Sequence, residues 1–358
     1  MIPVTKPFLP TKEEYNKYLN DIWERQWLTN HGPLVNELES NLKEHLDVSN
    51  LSFLSNGTIA IQIAIKALEL TGEVITTPFS YVATTSTIVW ENCKPVFVDI
   101  DPRTFNIDPQ KIEAAITDKT SAILATHVFG NACDIDKIQA IATKHKLKVI
   151  YDAAHCFGSL YNGKSVFEYG DISTCSFHAT KIFHTVEGGA VFTTQPQLLE
   201  RMLLLRNFGH TSPVTFDGIG INGKNSEFHA AMGLCCLKHI DEIYKSRKTQ
   251  WQRYQAVLQE SSKVQLLTIT KGCDFNCAYF PVVFESETVL LKVLAALNLQ
   301  YVQPRRYFFP SLNTVNYVEN VSCPNSESIA QRVLCLPLYH NLRKEDQDMI
   351  LKVILKNL

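Results

Sequence analysis

The sequence predicts an α/β protein whose central sheet is mainly parallel and covered by helices on both faces. Short apolar runs without polar alternation recur through the first two thirds of the chain, and helical patterns stand between several of them. Buried, non-alternating strands separated by helices are typical of a parallel sheet with both faces covered. Near residue 235 the pattern changes, which indicates a second and smaller α/β domain.

The strand signals of the large domain fall at 51–54, 74–76, 95–98, 122–125, 149–151 and 190–192. Helical spacing of apolar residues predicts helices at 58–70, 109–116 and 134–144. Ligands of such sheets bind at the carboxyl ends of the strands. We therefore expect Asn56, Asp152 and Ser176, which follow or end strands, to lie at the binding edge.

A long helix from Cys236 to Gln259 opens the C-terminal part, followed by a strand at 279–283 and a last amphipathic helix at 344–358. We predict a large domain at 1–235 and a small domain at 236–358, joined by the long helix without a flexible linker.

The composition limits the function. Of 358 residues 45% are hydrophobic and 20% charged, as in an ordinary globular protein, and the formal net charge of -2 gives no basic face for nucleic acid. No signal peptide and no apolar run of about 20 residues is present, so we expect no membrane partner and a cytoplasmic location. The ten cysteines show no zinc-type spacing, which favours reduced thiols and no metal site.

The chemistry centres on Asp152, which ends an apolar strand, and Lys181, which lies beyond the next one. An acid that keeps a pyridine nitrogen protonated and a lysine that forms a Schiff base are the two requirements of a pyridoxal phosphate pocket. Taken singly, Lys181 fits a surface lysine and Asp152 fits a helix cap or salt bridge. Their order, with Glu187-Gly188-Gly189 just downstream, favours the cofactor.

Further residues fit around the same cofactor. Gly57 and Thr58 stand between a strand and a helix, where free N–H groups bind a phosphate, although plain capping by Ser55 or Asn56 fits as well. The Ser176 hydroxyl is placed to reach the same phosphate. Tyr81 is suited to stack on the ring, and His155 to lie against the ring or its phenolic oxygen. Taken alone, each would more often be a residue of the core.

These residues, in this order, resemble the DegT/DnrJ/StrS family of pyridoxal-phosphate-dependent nucleotide-sugar aminotransferases, which have the fold type I of aspartate aminotransferase. The resemblance covers nearly the whole chain. Its segments are Trp27 to Pro33, Asn56-Gly57-Thr58, Asp152 to His155, Ser176 to Lys181, Glu187-Gly188-Gly189, Gly220 to Glu227 and Ala230 to Leu234.

The resemblance implies the roles of individual residues. Lys181 would bind the cofactor and shuttle the proton, Asp152 would pair with the ring nitrogen, and Asn222 would reach the phosphate of the neighbouring subunit in a homodimer. The full set of cofactor contacts expected is Gly57, Thr58, Tyr81, Asp152, His155, Ser176, His178, Lys181 and Asn222. The substrate contacts expected are Thr29, Lys224, Arg305, Arg306 and Tyr307.

One position departs from the family pattern. Lys224 stands where the family commonly has arginine, and lysine cannot make arginine's bidentate contact. The role of this position towards a diphosphate or carboxylate therefore stays open.

The resemblance implies transfer of an amino group from L-glutamate to a keto-sugar nucleotide. The segments 77–84, 176–181 and 305–312 look most like the branch that makes dTDP-4-amino-4,6-dideoxyglucose, an aminosugar of surface polysaccharides such as O-antigen. Alternatives are a C3 aminotransferase, the dehydratase branch, in which histidine replaces the lysine that Lys181 provides here, and a non-catalytic sensor.

Overall fold

Strands and helices alternate along the chain in this computed structural model, which describes all residues 1–358. The α-helices are α1 (Lys12–Arg25), α2 (Pro33–Leu46), α3 (Gly57–Ala67), α4 (Val82–Trp90), α5 (Pro109–Ile112), α6 (Ile135–His145), α7 (Pro196–Arg206), α8 (Glu227–Leu237), α9 (Ile240–Leu258), α10 (Glu287–Leu299), α11 (Pro324–Arg332) and α12 (Lys344–Asn357). The β-strands are β1 (Ile2–Pro3), β2 (Leu51–Leu54), β3 (Glu73–Thr76), β4 (Lys94–Phe97), β5 (Thr120–Thr126), β6 (Lys148–Asp152), β7 (Leu160–Tyr161), β8 (Lys164–Ser165), β9 (Ile172–Ser176), β10 (Gly189–Phe192), β11 (His210–Ser212), β12 (Thr215–Phe216), β13 (Val264–Leu266), β14 (Cys273–Asp274), β15 (Phe280–Phe284), β16 (Val302–Gln303) and β17 (Val333–Leu336).

The central sheet has seven strands in the order β2-β10-β9-β6-β5-β3-β4. Every neighbouring pair is parallel except the two pairs that β10 makes, with β2 and with β9. This confirms the predicted, mainly parallel sheet. Its register places Thr126 beside Asp152 and Asp152 beside Thr174, so three polar residues form one row near the carboxyl ends of β5, β6 and β9.

Helices cover both faces of the sheet, so successive residues of a strand pack into two different hydrophobic cores. Ile75, Ile123 and Val149 pack in the larger core, which includes α2 and α6. Their neighbours in sequence, Val74, Leu124 and Ile150, point to the opposite face and pack in a second core against α3. Strands that are apolar at every position are thereby explained, since neither face of the sheet meets water.

The C-terminal part has its own core, built from α9, α10, α12 and the antiparallel sheet β13-β15-β17. The predicted division at residue 235 stays a prediction. Residues 2–3 add a strand to this part of the molecule, because β1 pairs in parallel with β16.

The single long helix expected from Cys236 to Gln259 is wrong. Helix α8 ends at Leu237 and α9 begins at Ile240, with His239 at the junction in a non-helical conformation. The His239 ring at this junction contacts the Glu14 carboxylate of α1 at 2.9 Å. Neither Gly nor Pro stands at this break, and the helical spacing of apolar residues continues across it, so the sequence predicts one helix.

No helix is both long enough and apolar enough to cross a membrane. All ten cysteines are free thiols, and nine of them are buried.

Candidate active site

A cavity of about 550 Å³ opens at the carboxyl edge of the central sheet. Its walls come from the strand ends, the first turns of α3 and α4, the N-terminal residues 3–5 and the segment 303–308. The predicted site residues that line it are Gly57, Thr58, Tyr81, Asp152, His155, Ser176, His178, Lys181, Arg305 and Tyr307. Those that do not line it are Thr29, Asn222, Lys224 and Arg306.

One end of the cavity is formed by the start of α3. The Asn56 side chain accepts the Ile59 N–H at 2.9 Å, while the Gly57 and Thr58 amides have no partner in the chain. A Cβ added to Gly57 would lie 2.9 Å from the Ser176 Cβ, so only glycine fits there. Two free amides, a hydroxyl and a helix N-terminus form a cradle suited to a phosphate group.

Asp152 lies at the end of β6 and is 5% exposed. Its Oδ1 accepts the Ala154 N–H at 3.1 Å, and its Oδ2 accepts the Thr84 hydroxyl at 2.7 Å. Burial raises the pKa of Asp152 above its usual value, whereas both hydrogen bonds and the nearby Lys181 act in the opposite direction. A buried carboxylate with spare acceptor capacity fits the protonated nitrogen of a pyridine ring.

Lys181 follows β9 in a loop, where its backbone N–H donates to the His178 carbonyl at 2.9 Å. Its amine faces the cavity without a hydrogen bond or ion pair. Burial lowers the pKa of Lys181, and the carboxylate of Asp152 partly offsets this effect. An amine that loses its proton easily is what covalent attachment to an aldehyde requires.

His155 is a neutral side chain of defined tautomer. The Phe129 N–H donates to its Nδ1 at 3.2 Å, which assigns the ring proton to Nε2. Burial holds the pKa of His155 well below its usual value. Its ring lies parallel to that of Phe308, 5.8 Å away and at an angle of 4°. His155 therefore presents an N–H group, not a cation, to its surroundings.

Tyr81 and His178 lie at the open side of the cavity. The Tyr81 side chain is 61% exposed and precedes α4. His178 Nδ1 contacts the Thr180 hydroxyl at 2.8 Å, and its Nε2 lies 3.5 Å from the Glu187 carboxylate. Glu187 also lines the cavity, and so places a carboxylate beside His178.

The predicted cations have different surroundings. Arg305 lines the cavity. The guanidinium of its neighbour Arg306 donates to Glu287 at 2.7 Å and lies 3.7 Å from the centre of the Phe309 ring. The Lys224 amine donates to the Asn207 side chain at 2.9 Å. Only Arg305 is thus placed to meet a ligand in the cavity of its own chain.

Asn222 and Thr29 are exposed and lie apart from this cavity. The backbone of Asn222 pairs with Asn207, close to the β11–β12 hairpin. At and just after this hairpin, Val214, Phe216 and Ile219 are 82%, 62% and 90% exposed, which is unusual for three neighbouring apolar side chains.

Sequence reasoning missed several lining residues. Ser80 and Thr126 contribute buried hydroxyls, and Tyr279 packs edge-on against Tyr307 at 5.8 Å. The N-terminal residues 3–5 reach the cavity because β1 pairs with β16 and the Val4 carbonyl accepts the Leu338 N–H at 3.0 Å. No local pattern marks such contacts, which join distant parts of the chain. No group of His, Cys, Asp and Glu side chains is arranged to hold a metal ion.

Comparison with known proteins shows the family to which the chain belongs. Residues 10–355 match the DegT/DnrJ/EryC1/StrS aminotransferase family. A dTDP-4-amino-4,6-dideoxy-D-glucose transaminase of Shigella dysenteriae is 42% identical over 357 residues, which are 98% of this chain and 97% of that protein. A transaminase of the same name from Escherichia coli is 39% identical over 99% of this chain and 98% of its own length.

The fold is also similar to that of a solved structure, DesI in the presence of its TDP-sugar product. The TM-score is 0.94 at 31% identity, covering 99% of this chain and 93% of the other.

Proposed function

Because the chain belongs to the DegT/DnrJ/EryC1/StrS aminotransferase family, we propose that it moves an amino group from L-glutamate to carbon 4 of dTDP-4-keto-6-deoxy-D-glucose. The product is dTDP-4-amino-4,6-dideoxy-D-glucose, the compound named in the transaminases of Shigella dysenteriae and Escherichia coli. The observation that carries the proposal is the unpaired Lys181 amine in one cavity with the buried Asp152 carboxylate.

The enzyme uses pyridoxal phosphate, and the side chains present fit that group. The cradle of Gly57, Thr58 and Ser176 would hold the phosphate, where a Cβ on Gly57 would fill the space. Asp152 would hold the proton of the ring nitrogen. The neutral His155, with its proton on Nε2, is suited to donate to the phenolic oxygen. When bound, the cofactor supplies an electron sink that makes the proton next to the amino group labile.

The chain itself performs the proton transfers. The Lys181 amine, with its lowered pKa, removes the proton from the carbon of glutamate and later returns one to carbon 4 of the sugar. The Ala154 N–H and the Thr84 hydroxyl keep the Asp152 carboxyl group in place. The presence of Lys181 argues against the dehydratase branch, in which a histidine replaces this lysine. A chain that performs these proton transfers is a catalyst and not a non-catalytic sensor.

The diphosphate of the substrate needs cationic or N–H partners. Arg305 is the cation of this chain that meets the cavity, and Tyr307 lies beside it. We place the nucleotide sugar beside Arg305 and Tyr307, and Tyr81 would stack on the cofactor ring.

We further propose that the working unit is a homodimer with shared active sites. The apolar side chains Val214, Phe216 and Ile219 lie in the segment that precedes Asn222 and are largely exposed in their own chain. In this dimer Asn222, Lys224 and Thr29, which do not line the cavity of their own chain, would serve the cavity of the neighbour. Residence in the cytoplasm stays a prediction from the sequence.

The test is incubation of the purified protein with pyridoxal phosphate, L-glutamate and dTDP-4-keto-6-deoxy-D-glucose, with the sugar product read by NMR. An equatorial amine on carbon 4 supports the proposal. An axial amine would move the enzyme to the galacto series, and turnover only with the isomeric 3-keto sugar would favour the C3 alternative. Lys181→Ala serves as the control and should give no aminosugar.

A further inference from the structure

Three buried hydroxyls form a chain that ends on Asp152. The Thr126 hydroxyl donates to the Ser80 Oγ at 3.1 Å, Ser80 Oγ and Thr84 Oγ1 are 2.7 Å apart, and Thr84 donates to Asp152 Oδ2 at 2.7 Å. The three residues are at most 3% exposed. They come from β5, from the loop before α4 and from the first turn of α4, so the fold brings them together.

The direction of this chain follows from counting protons. A hydroxyl has one proton to donate, and an ionised carboxylate only accepts. Thr84 gives its proton to Asp152 and must therefore accept from Ser80, which in turn accepts from Thr126. All three O–H groups point towards the carboxylate, and hydrogen bonds aligned in this way strengthen one another. A proton on Oδ2 of Asp152 would require the Thr84 hydroxyl to turn away from the carboxyl group and the chain to reverse its direction.

Few other groups stabilise the charge of Asp152. The titratable groups near it are Lys181, Cys175 and Cys156, and His155 lines the same cavity. The histidine is neutral and burial raises the pKa of both thiols, so Lys181 is the only neighbour able to carry a positive charge. Once Lys181 is bound covalently to the cofactor, its free ammonium is no longer available. The hydrogen bonds from Thr84 and Ala154 then remain.

We propose that Thr84, supported by Ser80 and Thr126, is a positioning residue that keeps Asp152 ionised and oriented to hold the proton of the cofactor ring nitrogen. This inference rests on the proposed function, because it assigns a role towards pyridoxal phosphate. It assigns to three hydroxyl groups a role towards Asp152 that no motif in the sequence indicates.

The experiment compares two probes on full-length apoprotein: pyridoxal phosphate and its carbocyclic analogue, in which a carbon replaces the ring nitrogen. Thr84→Val keeps the shape of the side chain and removes the hydroxyl. We expect it to weaken binding of pyridoxal phosphate about tenfold or more and to leave binding of the carbocyclic analogue unchanged. The pH below which pyridoxal phosphate is lost should also rise, because the Thr84 hydrogen bond lowers the pKa of Asp152.

The chain provides a matched control. Thr85 is the next residue of α4, is equally buried, and its hydroxyl has no hydrogen-bond partner. Thr85→Val should leave the binding of both probes unchanged. Thr84→Ser, which retains the hydroxyl, should restore most of the affinity for pyridoxal phosphate.

Two outcomes would overturn this inference and leave the proposed function intact. Equal loss of both probes in Thr84→Val would show a packing defect, and unchanged affinity for pyridoxal phosphate at all pH values would show that the hydroxyl has no role. If the wild-type protein itself failed to bind pyridoxal phosphate, the proposed function would fall as well, so the two failures are distinguishable.

Discussion

Besides Lys181, Arg305 is the only lysine or arginine side chain that lines the cavity. Its neighbour Arg306 is engaged by Glu287 and by the carbonyl of Gln331. The adjacent residues Arg305 and Arg306 thus have different surroundings, a difference that the sequence alone does not indicate.

Arg305→Ala should therefore raise the KM for the nucleotide sugar by about tenfold or more, because a charge-assisted contact to the diphosphate is lost. Arg306→Ala should change this KM much less. Steady-state kinetics of both variants with the same substrate provide the measurement. A larger effect for Arg306 would contradict the placement of the substrate beside Arg305.

Asp152 also links function to stability. Burial raises its pKa, so the folded apoprotein holds the Asp152 proton more tightly than the unfolded chain does. Its contribution to the free energy of unfolding is present below the unfolded pKa and is lost as the pH rises through the folded pKa. At neutral pH the charged carboxylate makes the empty protein less stable.

Asp152→Asn should accordingly raise the melting temperature of the apoprotein at neutral pH, while lowering the rate of transamination by orders of magnitude. The stability advantage should vanish at acidic pH, where the wild-type carboxyl is also uncharged. Thermal unfolding of both apoproteins across the pH range tests this. An advantage that does not depend on pH would assign the effect to packing.

At the scale of the element, the start of α2 is held by a side chain from α8. The buried Glu227 carboxylate accepts the N–H groups of Leu34 and Val35 at 2.9 and 3.0 Å. A Cβ added to Gly32 would lie 2.6 Å from this carboxyl carbon, so the approach also depends on a glycine.

Glu227→Ala should lower the free energy of unfolding by about 2–3 kcal/mol, because two buried N–H groups lose their acceptor. Glu44→Ala, on an exposed position of α2, should change it by less than about 0.5 kcal/mol. Denaturant unfolding of the apoproteins gives both values. Equal effects of the two substitutions would show that Glu227 does not stabilise the helix start.

The elements themselves were largely predictable, because apolar strands and helical spacing are local signals. The prediction failed at 238–239, where the chain leaves the helix and His239 contacts Glu14, a residue far away in sequence. In the site, strand ends and a glycine indicated Asp152, Ser176 and Gly57. The hydroxyls behind Asp152 were missed since Thr84 and Asp152 are 68 residues apart, and only the folded chain brings them together.

At the scale of the whole molecule, shared active sites make a distinctive prediction. Lys181→Ala and Asn222→Ala, each nearly inactive alone, should recover about a quarter of the wild-type activity after mixing in equal amounts and subunit exchange. About half of the dimers are then mixed, and each mixed dimer has one site with both residues intact.

The measurement is aminosugar formation before and after exchange, with the two variants kept apart as the reference. Failure to regain activity, while exchange itself is demonstrated, would place Asn222 in the site of its own chain or in none.

The strand pairing of Ile2–Pro3 with Val302–Gln303 also has a consequence during synthesis. The two partners are separated by 300 positions, since Ile2 pairs with Val302. At roughly 5–20 residues per second, a ribosome needs roughly 15–60 s to supply the later strand. For that time residues 3–5 have no place to dock, and one wall of the cavity is missing. The nascent chain is thus expected to complete its own part of the binding pocket only near the end of translation.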